Sequence, residues 1–408
     1  MTEIVIERLG LHGDGIAAGP VYVPLTLPGE RVEGDLNGEH LENARIVEPS
    51  ADRVKAPCPR FKRCGGCSLQ HASDAFVAQW KVGVVETALK AHGLDAPIRS
   101  IETSPPASRR RAVFSARRTK SGAQVGFHVR ESDQIVEIDG CTLLDPALLD
   151  ARSIVTELVK VGGSRKGELS VTITLTLNKL DVSVTGGKTL DDKLRMELGP
   201  LAERLGLSRL AWEDETVALR HPPAQDFDGI TVVPPAGSFL QATRHGEDTL
   251  RAAVLEAVGD ADHVADFFAG CGTFSLPLAR KAEVWALEGV PEMIKALDLG
   301  WRNAKGLKKM KAEVRDLFRN PVIASDMQKL DAVVLDPPRA GAQAQVAEIA
   351  QTKIPVIAYV SCNPVTFARD AAVLVKAGYR LNWVQVVDQF RWSSHVELAA
   401  RFDRPEKG

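Results

Sequence analysis

The sequence predicts an α/β protein in three parts: a small N-terminal OB-like barrel, a β-rich centre and a C-terminal Rossmann-like, doubly wound half. Three observations carry this reading. Short apolar–polar alternations separated by Gly and Pro turns fill the first 50 residues. Strand patterns dominate from about residue 98 to 237. After residue 238, apolar runs of strand length alternate with helical stretches, which implies a parallel sheet covered by helices. The chain has 408 residues, and at about 150 per domain it divides into two or three domains. We place them at residues 1–50, 51–236 and 237–408.

Within the first part, residues 4–8 alternate, Gly13-Asp14-Gly15 turns, residues 21–23 form a second short strand, and Pro28-Gly29 turns again before residues 31–33. Such punctuation suits a small barrel. Pro and Gly in residues 56–70 forbid a regular helix, and a helix is expected at 75–91. The centre carries strands at 111–118, 123–130, 134–139, 169–177 and 180–185, with helices at 143–161 and 190–205. In the last part, strands at 263–267, 283–287, 332–335 and 356–360 alternate with helices at 246–258, 274–281, 291–305, 342–349 and 364–377. A late strand pair near 383–387 and 397–402 is expected to add an antiparallel edge.

Composition excludes several classes. Hydrophobic residues are 44% and charged residues 25%, ordinary for a globular chain. Lys and Arg total 51 against 53 Asp and Glu, so nucleic-acid contact needs local basic patches rather than bulk charge. No run of about 18 apolar residues exists, which excludes a helical membrane span. The N-terminus MTEIVIERLG lacks the charge and apolar core of a secretory leader, so a cytoplasmic protein is expected. Six cysteines in such a chain point to ligands or nucleophiles rather than disulfides.

Two strand ends carry a cofactor signal. Residues 264–274, VADFFAGCGTF, read as strand, Gly-rich turn and helix start. Gly270 and Gly272 let backbone approach a ligand, and the helix start favours an anionic group. Ser275 stands where a dinucleotide fingerprint has its third glycine. The following strand ends in Glu288, suited to two ribose hydroxyls. Together they indicate an adenosine-containing cofactor and are similar to motif I of class I S-adenosylmethionine methyltransferases, with NAD as the alternative.

Two further strands end in chemistry. Residues 357–364, IAYVSCNP, deliver Cys362 to a strand tip before a helix opened by Pro364. Proximity to that helix N-terminus predicts a lowered thiol pKa. Residues 335–339, LDPPR, stop a strand and present Asp336 at the same edge. Glu397, in His395-Val396-Glu397, is a candidate base facing the cysteine.

In this order, the Asp266–Gly272 turn, LDPPR, SCNP and HVE resemble the RNA uridine-5-methyltransferase family, whose members make 5-methyluridine in tRNA or ribosomal RNA. The resemblance implies a C-terminal class I methyltransferase domain using S-adenosylmethionine. It makes Cys362 the nucleophile at carbon 6 of uracil and Glu397 the base that removes the carbon 5 hydrogen. Asp336 then holds the uracil or the cofactor amine. It gives Gln241, in GSFLQ, Phe268, Glu288 and Asp316 to the cofactor. Thr273 joins them, where relatives often have asparagine. Phe239 is a candidate stacking partner for the extruded base.

Cys58-x5-Cys64-x2-Cys67, with Cys141 later, offers four thiolates in a Pro/Gly-rich setting. Thiolate-only ligation suits zinc or iron–sulfur. The resemblance implies a 4Fe–4S cluster, as in the family's 23S ribosomal RNA branch. Arg109, Arg110, Arg111, Arg117, Arg118 and Lys120 form a candidate phosphate footprint, opposed by acids such as Glu131 and Asp133. The N-terminal unit resembles the RNA-binding TRAM domain. RNA, ribosomal before tRNA, is thus the expected partner of a monomeric enzyme. An NAD-dependent cysteine redox enzyme and a non-catalytic RNA-binding protein are the competing classes.

Overall fold

The computed structural model describes residues 1–405. The barrel predicted at the N-terminus closes from β1 (Thr2–Leu9), β2 (Gly15–Ala17), β3 (Val21–Val23), β4 (Arg31–Asn37) and β5 (His40–Glu48), in the order β1-β2-β3-β5-β4. Alternation does the work: Ile6 is buried while Val5 and Glu7 face out, and Ile6, Val23, Val32 and Leu41 fill the interior. A Cβ at Gly15 would lie 2.1 Å from the Thr26 hydroxyl, so the closing strand needs glycine there.

Helix α1 (Asp74–Lys90) starts at Ser73, whose hydroxyl accepts from the Phe76 N–H at 3.2 Å. The helix buries Val85 and Leu89 in the core of the C-terminal half. Strand β6 (Glu102–Thr103) then pairs in parallel with a strand of the C-terminal sheet. Residues 51–236 are therefore not one packing unit, because their first third is bound into the next layer. No composition change marks this, since the apolar face of α1 reads the same whichever core it covers.

The centre is a seven-stranded sheet of β7 (Arg111–Arg118), β8 (Ala123–His128), β9 (Ile135–Glu137), β10 (Glu168–Leu175), β11 (Leu180–Thr185), β12 (Arg209–Trp212) and β13 (Glu215–Leu219). Phe114, Val171, Val182 and Trp212 form its core. The helix expected over 143–161 is two, α2 (Pro146–Asp150) and α3 (Arg152–Gly162). The first begins where the Asp145 carboxylate caps the Ala147 N–H. Helix α4 is Asp192–Arg204. A hairpin, β14 (Gln225–Phe227) and β15 (Ile230–Val232), packs on the C-terminal half.

That half contains α5 (Arg244–Val258), β16 (His263–Phe267), α6 (Ser275–Leu278), β17 (Glu283–Glu288), α7 (Pro291–Asn303) and β18 (Met310–Val314). It continues with β19 (Ala332–Leu335), α8 (Gln343–Ile349), β20 (Val356–Ser361), α9 (Pro364–Lys376), β21 (Arg380–Asp388) and β22 (Glu397–Asp403). The sheet order is β18-β17-β16-β19-β20-β22-β21-β6, with β16 to β20 parallel. Strand β22 runs antiparallel to both neighbours and lies inside the sheet. The expected antiparallel edge is thus an internal strand, and β18 and β6 form the edges. Strand β18, MKAEV, escaped the sequence reading because only Met310 in it is buried. Reversal of β22 has one chemical consequence: its first residue, Glu397, starts at the edge where the parallel strands end.

Candidate active site

A cleft of about 1110 Å³ opens along that edge, at the position ligands occupy in open α/β sheets. Gln241, Phe268, Thr273, Glu288, Asp316, Asp336, Cys362 and Glu397 all line it. Its far wall comes from the other two parts: His12 and Asp14 of the barrel, Gly65–Ser68 of the cysteine loop, and Arg109 and Arg130 of the centre. Arg130 and Asp14 pair at 2.9 Å and tie barrel to centre.

The turn after β16 forms one side. Phe268 has φ +65°, a left-handed conformation rare for a bulky residue. Strain of this kind persists where surrounding packing enforces it, and it clusters at functional sites. The Phe268 ring packs 5.4 Å from that of Phe318, centroid to centroid. Phe318 was missed in the sequence; its signal was an aromatic two residues beyond Asp316. Below the turn, Asp266 is fully buried and accepts from the Ser275 hydroxyl at 2.5 Å. Burial pushes its carboxyl up to about 7. The Glu288 carboxylate accepts from Gly270 N–H at 3.2 Å and Val290 N–H at 3.0 Å.

Cys362 leaves β20 just before α9. Asn363 caps that helix at the Val365 N–H (3.1 Å), and its amide donates to the Arg339 carbonyl at 2.9 Å. The asparagine of SCNP therefore fastens the cysteine turn to the DPPR turn. Burial first, then Glu397 and Asp336, push the thiol up to about 11, and Arg339 offsets this only in part. The lowered thiol expected from the helix N-terminus is thus corrected: burial, with Glu397 and Asp336 beside it, raises the thiol instead. Burial also raises Glu397 to about 7 and lifts Asp336 well above the usual carboxylate range, the latter reinforced by Glu397. The cleft thus sets Asp336 and Glu397, both inclined to keep their protons, among Arg109, Arg130, Arg315 and Arg339. Phe239, 63% exposed, stands at its mouth.

Cys58, Cys64 and Cys67 are raised by burial and each is raised further by Cys141, so the four thiols lie near one another. For Cys67 the value reaches about 12. The Gly66 N–H donates to the Cys64 sulfur at 3.4 Å. Among the described residues, however, no three His, Cys, Asp or Glu side chains converge closely enough to hold a single metal ion.

The six-residue basic footprint breaks up. Arg110 is buried, paired with Glu247, and donates to the Gln241 carbonyl at 3.0 Å. Arg117 pairs with Glu168 at 2.9 Å and with Asp133 at 3.5 Å. Arg111 donates to the Gly237 carbonyl at 3.1 Å. Arg109 lines the cleft, and Lys120 is exposed. Clustering in sequence overstated the footprint because a strand sends alternate residues to opposite faces.

Comparison with known proteins agrees with this geometry. The family described as tRNA (Uracil-5-)-methyltransferase matches residues 235–404. A protein of Rhizobium meliloti (strain 1021), named only as an RNA methyltransferase, is 42% identical, covering 98% of this chain and 99% of its own. The 23S rRNA (uracil(1939)-C(5))-methyltransferase of Halomonas elongata is 31% identical over 99% of this chain and 90% of its own. The fold is shared with the Pyrococcus abyssi tRNA (uracil-54, C5)-methyltransferase, crystallised with S-adenosyl-L-homocysteine. There the TM-score is 0.76, with 22% identity, 98% coverage of this chain and 99% of that one. With its strand-end turns and its full-length relatives, the chain belongs to the RNA (uracil-5-)-methyltransferase family, class I enzymes that depend on S-adenosylmethionine.

Proposed function

We propose that the enzyme methylates carbon 5 of a uridine in 23S ribosomal RNA through a covalent adduct between Cys362 and carbon 6. The observation that carries this reading is the meeting of Cys362, Asp336 and Glu397 in the cleft that Phe268 and Glu288 also line. Phe268, Phe318 and Gln241 hold the cofactor, Thr273 lines its turn, Glu288 takes the ribose hydroxyls and Asp316 the adenine side. When bound, S-adenosylmethionine supplies the methyl group and a positive charge. Burial holds the Cys362 proton, and thiolate must form before the sulfur can attack. The thiol proton leaves to solvent and the sulfur bonds to carbon 6, which makes carbon 5 nucleophilic. After methyl transfer, Glu397 takes the carbon 5 hydrogen and the Cys362–carbon 6 bond breaks, returning thiolate. Asp336 holds the uracil ring through this sequence, and Phe239 stacks on the extruded nucleotide, whose unstacking costs a few kcal/mol.

We read the cysteine quartet as ligands of a 4Fe–4S cluster. The reading rests on the Cys58-x5-Cys64-x2-Cys67 spacing with Cys141 and on the influence of the four thiols on one another. The cluster's role is structural, holding Gly65–Ser68 in the cleft wall. The 23S assignment rests on the quartet and on the Halomonas elongata relative. The barrel does not add to it, since a tRNA-directed enzyme has the same whole-chain fold. The barrel, TRAM-like, the cleft-lining Arg109 and the exposed Lys120 contact RNA. No helix among the described residues is long and apolar enough to cross a membrane, and we read the enzyme as a cytoplasmic monomer.

RNA carrying 5-fluorouridine tests the chemistry, because a fluorine at carbon 5 cannot leave as a proton and the adduct accumulates. A stable protein–RNA band with the native enzyme and none with Cys362→Ser is expected; a band with Cys362→Ser overturns the mechanism. Mapping 5-methyluridine in a deletion strain tests the target, with a loss confined to tRNA as the result that overturns the ribosomal assignment.

A further inference from the structure

One buried amide lies between the cofactor wall and the proposed base. Gln389, on the loop joining β21 to β22, is 1% exposed. Its oxygen accepts from the Ala242 N–H at 2.7 Å, which leaves its amino group as the donating end. That amino group donates to the Gln241 side-chain oxygen at 2.5 Å and also to a Glu397 carboxylate oxygen. Gln241 and Glu397 are each 2% exposed. Among the described residues, Gln389 is the only side chain that hydrogen bonds the Glu397 carboxylate. The Gln241 amino group, by contrast, has no protein partner among them, and Gln241 lines the cleft. Space for this arrangement is specific. A Cβ at Gly246, in the first turn of α5, would come within 2.5 Å of the Gln389 Cβ and 3.1 Å of its side-chain oxygen.

We propose that Gln389 is a positioning residue that orients the Glu397 carboxylate for hydrogen abstraction at carbon 5 and links it, through Gln241, to the cofactor side of the cleft. The proposal rests on the reading of Glu397 as the base. Because its oxygen is held by Ala242, the amide cannot turn over without stranding a backbone N–H and opposing an oxygen to the carboxylate. Glu397 therefore always meets a donor, which fixes one of its oxygens and favours the ionised form needed to accept a proton. A ligand engaging the Gln241 amino group polarises the same chain of hydrogen bonds. The sequence offered no sign of this, because glutamine in a loop carries no chemical signature by itself.

The test uses the full chain with ribosomal RNA and tRNA from a strain lacking the gene, and S-adenosylmethionine labelled in its methyl group. Glu397→Gln should trap methyl-labelled RNA on the protein, since transfer precedes the step it blocks. Gln389→Met, close in volume but without donors, should hold at least tenfold more labelled adduct than the native enzyme at pH 6.5. That adduct should discharge as the pH rises to 8.5, with the acid limb of product formation displaced upward by about one pH unit. Gln389→Glu, matched in size, should displace the limb further in the same direction, because two carboxyls then face each other. It carries the test alone if the Met variant does not fold. Native pH profiles and no adduct in both Gln389 variants, with adduct still trapped by Glu397→Gln, overturn the proposal and leave the base in place. No adduct with Glu397→Gln overturns the base assignment, and this proposal with it.

Discussion

Cys362 and, from the cysteine quartet, Cys67 line the same cleft, and the surroundings of the two sets of thiols differ. Cys362 stands beside two carboxyls, so its proton is held by burial first and then by Glu397 and Asp336. Cys58, Cys64 and Cys67 stand beside other thiols, so their protons are held by burial and by one another. The first sets one thiol among carboxyls, and the second sets four thiols together, the set that the proposed cluster would use. Under the proposed function a raised thiol pKa therefore has two meanings here, one for the nucleophile and one for the cluster ligands of that reading. Burial alone does not tell them apart, whereas the identity of the neighbouring charge does.

The sharpest way to break this contrast is to replace the sulfur in each set. Cys362→Ser should lower turnover by at least about 10⁴-fold, as losing a covalent nucleophile does, with iron content and melting temperature unchanged. Cofactor binding by calorimetry should survive, and iron loss in this variant would mean the two sets are not independent.

A pH series separates them next. Activity should rise about tenfold per pH unit up to about 7, as Glu397 ionises. Stability should run the other way. Glu397 and Asp266 have folded values near 7, above their ordinary values of 4.5 and 3.8, so the folded chain binds more protons than the unfolded one in that window. Their stabilising contribution is full below about pH 4 and is lost as pH rises through 7. The melting temperature of the cofactor-free enzyme should therefore fall by about 5 °C between pH 6 and pH 8. A flat melting profile would show that neither carboxyl is held protonated.

Replacing Cys67 by Ser should abolish iron and sulfide in anaerobically purified protein and lower activity by about tenfold, through displacement of the loop that walls the cleft. Retention of iron would exclude Cys67 from the ligand set. The smallest effects belong to the arginines. Arg109→Ala should weaken RNA binding about fivefold and reduce its salt dependence. Arg117→Ala should change it by less than about twofold, because Arg117 is already paired with Glu168 and Asp133. Equal losses would restore the single basic footprint suggested by the sequence.

Much of the site was legible in the chain because its chemistry sits at strand ends, where glycines, prolines and a change of pattern mark the turn. VADFFAGCG, LDPPR and SCNP each combine an apolar strand with a breaker and a reactive group. Phe318 and Gln389 were not legible, since one is a lone aromatic and the other a lone amide, and only their neighbours give them a role. The basic run misled for the same reason. Its charges are adjacent in sequence, yet Arg110 faces Glu247 from another domain region while Arg109 faces the cleft.

By itself the sequence determined the alternating β/α half, the small barrel, and the set of sulfur and carboxyl groups that can do chemistry, because these follow from periodicity and residue type. Tertiary structure alone decided that β22 enters the sheet reversed and brings Glu397 to the edge beside Cys362. It alone bound α1 and β6 into the catalytic layer, and it turned the expected low-pKa thiol into a protonated one. The physical reason is common to all three. Strand direction, packing partner and local electric field depend on residues far apart in the chain, and no local pattern encodes which distant carboxylate will stand beside a given thiol.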